Sequence, residues 1–320
     1  MGAKCCANRK DNKPAPPKKP NDKDKKQRSI KPGARERNLS IGGTTDDAKK
    51  FDAAFEKNDI KSFVKLLSST QPIAEFEEPL HPWAEDPKTV GTLAATQLAI
   101  MSSSAGNAAT KVKDDIRKAG AIPPLVKFLK SKEKDRQQCA IVALAELTRD
   151  SAENSKAAGS AGGIGALMKH KDSPIPEARD EVAIIVRNIF MEDDDYRDQF
   201  VEKGGVSFFI KQFNEAAGDS EPEAQLDAIL NLTDLLEVGA GEINEDIVDQ
   251  LKKAGIDAKL QGMEDTKSVY LKEAIKDLRK MLSGKTTDEE VKRCSKLWKK
   301  HQICSPCEHF APVAALSLFL

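Results

Sequence analysis

The sequence lacks any apolar run of about 18 residues or more, the length that a membrane-spanning helix needs. Its first residues lack the apolar core of a secretory signal, and the apolar C-terminal stretch APVAALSLFL is only ten residues long. Six cysteines in 320 residues are too few for a disulfide scaffold. We therefore expect a protein with reduced thiols that faces the cytosol and reaches membranes through attached lipid or surface binding.

Catalytic patterns are also missing. The chain shows no Ser/His/Asp or Cys/His arrangement, and the Gly-rich stretch AGSAGGIG at 158–165 lacks the Lys-Ser/Thr ending of a phosphate-binding loop. The sequence thus predicts no enzyme and no cofactor. Nucleic-acid binding is not expected either, because residues 1–40 are basic but contain no aromatic side chain on which a base could stack.

Charge is distributed unevenly along a chain whose formal net charge is zero. Residues 1–40 contain 13 Lys and Arg against 4 Asp and Glu, a net charge of +9, which leaves −9 for the rest. Residues 7–45 are rich in Pro, Lys, Asp and Asn and poor in apolar side chains, a composition that predicts disorder. We interpret residues 1–45 as a basic disordered head that is attracted to an anionic membrane surface.

A repeat follows the head. The segments KAGAIPPLVKFLKS, SAGGIGALMKHKDS and EKGGVSFFIKQFNE each place a Gly before a short apolar helix, and Gly120, Gly162 and Gly204 are spaced 42 residues apart. A weaker copy begins at Gly255, 51 residues further on. A period near 42 predicts an array of stacked helical units, since one unit cannot bury its own apolar face.

Each unit also contains a second apolar helix with one polar residue in its apolar stripe. These five polar residues are Gln97, Glu146, Asn188, Asn231 and Asp277. A polar residue at the same place in every unit is not what a plain core helix needs, so we interpret the five as candidate partner-binding positions.

These segments resemble the armadillo repeat over roughly residues 46–284. The resemblance implies an all-α, right-handed solenoid in which the third helix of each repeat lines a concave groove. It also implies that Asn188 and Asn231 match the ladder of Asn residues that binds extended peptides in that family. Gln97, Glu146 and Asp277 depart from Asn, and the two carboxylates favour a partner segment that carries Lys or Arg.

The first six residues, MGAKCC, contain a candidate lipidation motif. Removal of Met1 would expose Gly2 for myristoylation, although Cys6 stands where the usual pattern has Ser or Thr. One myristoyl chain anchors only weakly, so palmitate on Cys5 and Cys6 and the basic head supply the further signals. The motif predicts a lipid-anchored protein.

The C-terminal stretch from residue 285 to 320 differs in composition from the repeats. It contains Cys304 and Cys307 as C-x-x-C, with His301 and His309 nearby, but no second Cys pair completes a zinc site. We expect no metal here and interpret residues 285–320 as a disordered tail outside the repeats.

The layout of an M-G-x-x-C-C head and a small armadillo domain resembles the armadillo repeats-only family of apicomplexan parasites. That resemblance implies acylation at Gly2, Cys5 and Cys6 by enzymes that include a palmitoyl acyltransferase. It implies a location on the cytosolic face of rhoptries, which the family positions and clusters at the apical pole for host invasion. The partners it implies are a myosin F-like motor and an adenylate cyclase.

Two other functions remain open at this stage. An acylated vacuole-type armadillo protein would tether membranes, although such proteins carry more repeats than fit here. A nuclear-import-like peptide receptor would pair Trp with each ladder Asn, whereas Trp83 and Trp298 both lie outside the third helices.

Overall fold

The computed structural model describes residues 45–104, 108–217, 222–238 and 242–284. The chain divides into two units, residues 1–39 and 40–320, and all described residues belong to the second. The predicted head and tail therefore lie outside the described residues, apart from Thr45. None of the described helices is both long enough and apolar enough to pass through a bilayer.

The described residues form fifteen α-helices in five groups of three, as an armadillo solenoid requires. The first helices of the repeats are α1 (Asp46–Lys57), α4 (Ala109–Lys118), α7 (Ala152–Ser160), α10 (Asp194–Glu202) and α13 (Glu245–Lys253). The second helices are α2 (Ile60–Leu66), α5 (Ile122–Phe128), α8 (Gly163–Leu167), α11 (Gly205–Ala216) and α14 (Ile256–Gly262). The third helices are α3 (Val90–Ser104), α6 (Lys134–Thr148), α9 (Pro176–Phe190), α12 (Pro222–Leu236) and α15 (Val269–Leu282).

The repeated glycines mark the turn between the first and second helix of a repeat. Gly120, Gly162, Gly204 and Gly255 all have a positive φ, between 72° and 87°. An L-residue with a side chain disfavours this left-handed conformation, whereas glycine adopts it without steric cost. The 42-residue spacing of Gly120, Gly162 and Gly204 is thus the distance along the chain between equivalent turns, each of which needs a left-handed backbone conformation.

One apolar core runs through all five repeats, and each third helix packs against the next. Its largest fully buried side chains include an aromatic cluster between the third and fourth repeats, where the rings of Phe190 and Phe200 stack at 5.3 Å and Phe209 lies 4.8 Å from Phe200. Because a single repeat would expose this surface, stacking of neighbours is the main source of stability.

Two features were not expected from the sequence. After α12 the chain forms a short antiparallel hairpin of β1 (Glu237–Val238) and β2 (Glu242–Ile243). Between α2 and α3, residues 72–89 form a closed loop, here called the proline loop. Its ends meet because the Ile73 N–H donates to the Lys88 carbonyl at 3.1 Å and the Val90 N–H donates to the Gln71 carbonyl at 2.8 Å.

Candidate functional site

The third helices form the layer that carries the candidate site. They pack in the order α3, α6, α9, α12 and α15, so residues at matching positions make rows that cross the repeats. Glu146 on α6, Asn188 on α9 and Asn231 on α12 stand at equivalent positions of their repeats by sequence, with spacings of 42 and 43 residues. We call these three, together with Asp277 on α15, the ladder residues.

The ladder residues differ in exposure. Glu146 and Asn231 are 6% and 5% exposed, whereas Asn188 and Asp277 are half-buried. The Asn188 amide Nδ2 donates to Thr148 Oγ1 on α6 at 3.3 Å. Asn188 therefore joins two neighbouring third helices while its side chain remains partly open to solvent.

Gln97 on α3 is only 2% exposed. It precedes Glu146 by 49 residues, whereas Thr96 Oγ1 on the same helix lies 3.5 Å from Cys139 Sγ of α6, 43 residues further along the chain. Gln97 as a partner-binding position stays a prediction.

A buried carboxyl lies beside the ladder on α9. Glu181 is 4% exposed, and its Oε2 has no hydrogen-bond partner among the described residues. Burial raises the pKa of Glu181 to about 8, an effect that the nearby Arg149 opposes and that Glu146 and Asp180 reinforce. Sequence reasoning missed Glu181, because a Glu in an apolar stripe one helical step from exposed Asp180 looks like a surface residue.

A buried ion pair connects α9 to α12 next to the ladder residues. Arg187 donates its Nε–H to Asp234 Oδ2 at 2.5 Å, and both side chains are buried. Asp227, one turn before Asn231, is exposed, yet its pKa is raised because surrounding protein displaces water from the carboxylate. A group that is solvent-accessible but surrounded by protein is expected on the inside of a curved surface.

The proline loop covers the groove at its N-terminal end. Leu80, His81 and Ala84 of the loop lie over a small cavity whose other wall includes Cys139 and Val142 of α6. Val142 is one turn before Glu146 and hence on the same face of α6. The loop therefore occupies the part of the concave surface formed by α3 and α6.

The loop is bound to α6 through its backbone. The Glu85 N–H donates to Gln138 Oε1 at 2.6 Å, and the Lys88 N–H donates to Asp135 Oδ2 at 3.2 Å. Within the loop, the Ala84 N–H donates to His81 Nδ1 at 3.3 Å. Burial lowers the pKa of His81 to about 4, so the ring is neutral and can accept this bond near neutral pH.

Among the third helices, α12 is the acidic one: it carries Glu223, Asp227 and Asp234 and no Lys or Arg. Helices α9, α12 and α15 together carry eight acidic side chains against six basic ones, which are Arg179, Arg187, Lys272, Lys276, Arg279 and Lys280. The buried Arg187 forms an ion pair with Asp234. The carboxylates of α12 attract cationic side chains.

The lipidation positions Gly2, Cys5 and Cys6 lie outside the described residues, as do His301, Cys304, Cys307 and His309. The free cysteine in the described part of the chain is Cys139, which is buried. Burial raises the pKa of its thiol to about 12, so it is not a reactive or ligating group. Within the described ranges, no three His, Cys, Asp or Glu residues are placed to hold a metal ion.

Two solved structures that are similar to this chain show its fold class. A designed armadillo repeat protein matches 77% of the chain and 98% of its own length, with 17% identity and a TM-score of 0.54. A second designed armadillo repeat protein, in complex with the peptide (KR)4, matches 77% of the chain and 90% of its own length, with 19% identity and a TM-score of 0.51. The fold is therefore that of an armadillo-repeat protein. No protein-family model and no curated protein matches the sequence.

A third solved structure shows the family. The chain is similar to ARO, the armadillo repeats only protein from Plasmodium falciparum, with 33% identity and a TM-score of 0.65. The match covers 75% of this chain and 99% of the relative. The chain belongs to the family of armadillo repeats only proteins.

Proposed function

We propose that this protein is a lipid-anchored armadillo adaptor whose groove recruits partners to the cytosolic face of an organelle. The observation that carries the proposal is the row of five third helices, of which α12 carries acidic side chains and no basic one, in a chain that opens with Gly2, Cys5 and Cys6. A scaffold that presents a long concave surface suits binding of an extended segment better than catalysis.

The groove chemistry favours a basic partner segment. Glu146 on α6, Asp227 on α12 and Asp277 on α15 supply carboxylates, and Asn188 supplies an amide on α9, between α6 and α12. Lys or Arg side chains complement the carboxylates, while an Asn amide can both donate to and accept from a peptide group. A designed armadillo repeat protein of similar fold is described in complex with the peptide (KR)4, a segment of the basic kind proposed here.

The proposal extends to an organelle and to partners. On the resemblance to the armadillo repeats-only family, we propose that the protein lies on the rhoptry surface, where it positions and clusters these organelles at the apical pole. A myosin F-like motor and an adenylate cyclase are the partners in this proposal. A palmitoyl acyltransferase would modify Cys5 and Cys6 after myristate on Gly2 brings them to the membrane.

Imaging and fractionation of the tagged full chain test the anchor. Gly2→Ala should release the protein from the membrane fraction, because palmitoylation needs prior membrane contact. Replacement of Cys5 and Cys6 by Ala should leave weak, reversible binding, since one myristoyl chain binds with K on the order of 10⁴ M⁻¹. The anchoring model fails if the Gly2→Ala protein still sediments with membranes as the wild type does.

A further inference from the structure

The contacts between the proline loop and α6 show how side chains of a third helix can bind a peptide backbone. Two main-chain N–H groups, those of Glu85 and Lys88, donate to Gln138 and Asp135 on α6. Gln138 precedes the ladder residue Glu146 by eight residues and lies beside the cavity-lining Cys139. A side-chain oxygen at this position is thus an acceptor for an extended chain that runs over the third helix.

The next third helix offers the same acceptor without a loop upon it. Forty-two residues after Gln138, on α9, stands Asp180, whose side chain is exposed. Its Oδ1 accepts from the Gln212 side chain at 3.1 Å, and no described backbone N–H is bonded to it. A carboxylate can accept several hydrogen bonds, so Asp180 retains the capacity that Gln138 uses for the loop.

Glu181 adds a second group to this position. It is buried, and its Oε2 lacks a hydrogen-bond partner among the described residues, although such groups are normally satisfied in native proteins. Its charged surroundings are Arg149, Glu146 and Asp180, so two of the three neighbours share its sign. Burial raises the pKa of Glu181 to about 8, so a cation that reaches it near neutral pH favours the carboxylate and releases the proton that the free protein holds. Most water is already excluded there, which strengthens the interaction.

We propose that Asp180 and Glu181 form a peptide subsite on α9, in which Asp180 accepts a partner main-chain N–H and Glu181 binds a Lys or Arg head group. The subsite rests on the proposed function, because it lies in the same groove as the ladder residues. Its ligand is one basic residue of an extended segment. The proline loop blocks the corresponding position on α6, so α9 is where the open part of the groove begins.

Binding of a fluorescein-labelled (KR)4 peptide to the full chain, measured by anisotropy, tests this subsite. Glu181→Gln keeps the shape but cannot ionise, so we expect it to weaken binding by about tenfold or more at pH 9, where the wild-type carboxyl is ionised, and by less at pH 7. Asp180→Ala should weaken binding several-fold, whereas Asp180→Asn should restore much of it, because an amide oxygen can accept as Gln138 does. Asp198→Asn and Glu202→Gln on α10 are matched controls and should bind as the wild type does.

The outcomes separate the subsite from the function on which it rests. Wild-type binding that Glu181→Gln leaves unchanged, in a variant whose circular dichroism is also unchanged, overturns the subsite alone. Equal loss in the α10 controls also overturns it, because the effect would then be one of net charge. If the wild type does not bind (KR)4 at all while remaining folded, the basic-segment function is wrong and the subsite falls with it.

Discussion

Arg187 on α9 and Asp234 on α12 form a buried ion pair, with Arg187 Nε 2.5 Å from Asp234 Oδ2. The two residues flank the ladder: Arg187 precedes Asn188 directly, and Asp234 follows Asn231 by three residues. The pair therefore fixes the relative positions of the two Asn residues that the proposed function needs. It also neutralises an Arg that would otherwise oppose binding of a basic segment.

Removal of one partner from this pair should be costly. Asp234→Ala leaves the Arg187 guanidinium buried without its carboxylate, so we expect the free energy of unfolding to fall by about 3–5 kcal/mol. The matched control is Glu153→Ala, which breaks an exposed contact with Lys156 at 3.9 Å and should cost less than about 1 kcal/mol. Urea denaturation followed by circular dichroism measures both, and equal losses would contradict a structural role for the pair.

The raised pKa of Glu181 makes a pH prediction. The pKa of Glu181 is about 8 in the folded protein, whereas its ordinary value is 4.5. Between pH 4.5 and pH 8, the folded protein therefore holds a proton on Glu181 that the unfolded chain has released. Its contribution to stability is therefore complete below pH 4.5 and is lost as the pH rises through 8. Glu181→Gln should remove this loss, so the variant gains stability relative to wild type as pH increases.

Denaturant unfolding near pH 6 and near pH 9 measures that difference, at about 1.4 kcal/mol per pKa unit as an upper scale. Other titrating groups, including His81, are present in both proteins and cancel in the comparison. A stability difference that does not change between the two pH values would show that Glu181 is not held protonated by burial.

Two Gly→Ala substitutions in the last repeat, at Gly255 and at Gly262, should have opposite effects on stability. Gly255 has φ +72°, and a Cβ added there would meet nothing within 4 Å, so Gly255→Ala isolates the cost of the left-handed backbone. We expect a loss of about 1–2 kcal/mol. Gly262, at the end of α14, also has open space and no positive φ, so Gly262→Ala should be neutral or stabilising by up to about 1 kcal/mol. Thermal unfolding of both variants would contradict this account if they shift in the same direction.

The seating of the proline loop on α6 can be tested with two adjacent glutamines. Gln138→Ala removes the acceptor of the Glu85 N–H, and we expect amide exchange at Glu85 to accelerate by about tenfold, for a bond worth 1–2 kcal/mol or so. Gln137 bonds instead to the Ser131 carbonyl at 2.7 Å, so Gln137→Ala should leave the loop unaffected. Unchanged exchange at Glu85 in the Gln138 variant would show that this contact does not hold the loop in the groove.

Much of the repeat architecture could be predicted from local sequence. The spacing of Gly162 and Gly204 gave the period, since each glycine occupies a backbone conformation that few other residues tolerate. The first described helix begins at Asp46, and the boundary of the repeats at this residue was predicted from the change from polar, Pro-rich sequence to helical periodicity. The three-helix organisation came from the armadillo resemblance, since the apolar pattern by itself marked only two helices in each repeat.

The candidate site was less predictable, because it depends on contacts between distant residues. No local pattern indicates that Glu85 bonds to Gln138, 53 residues away, or that the loop occupies the groove over α6. Several polar residues fit the apolar stripe of α3, and only the packing of α3 on α6 decides which of them lines up with Glu146. The burial of Glu181 likewise arises from the neighbouring third helices and not from its own helix.

The central claim is that the ladder amides of Asn188 and Asn231 hold an extended basic partner segment, and a double Asn→Ala variant of the full chain tests it most directly. The affinity for fluorescein-labelled (KR)4 is measured by anisotropy, with circular dichroism as the check that the variant is folded. We predict a folded protein whose affinity falls by about tenfold or more, since two peptide-group contacts are lost. A folded variant that binds (KR)4 as tightly as wild type would contradict the claim, and a variant that unfolds would show that the ladder holds the repeats together.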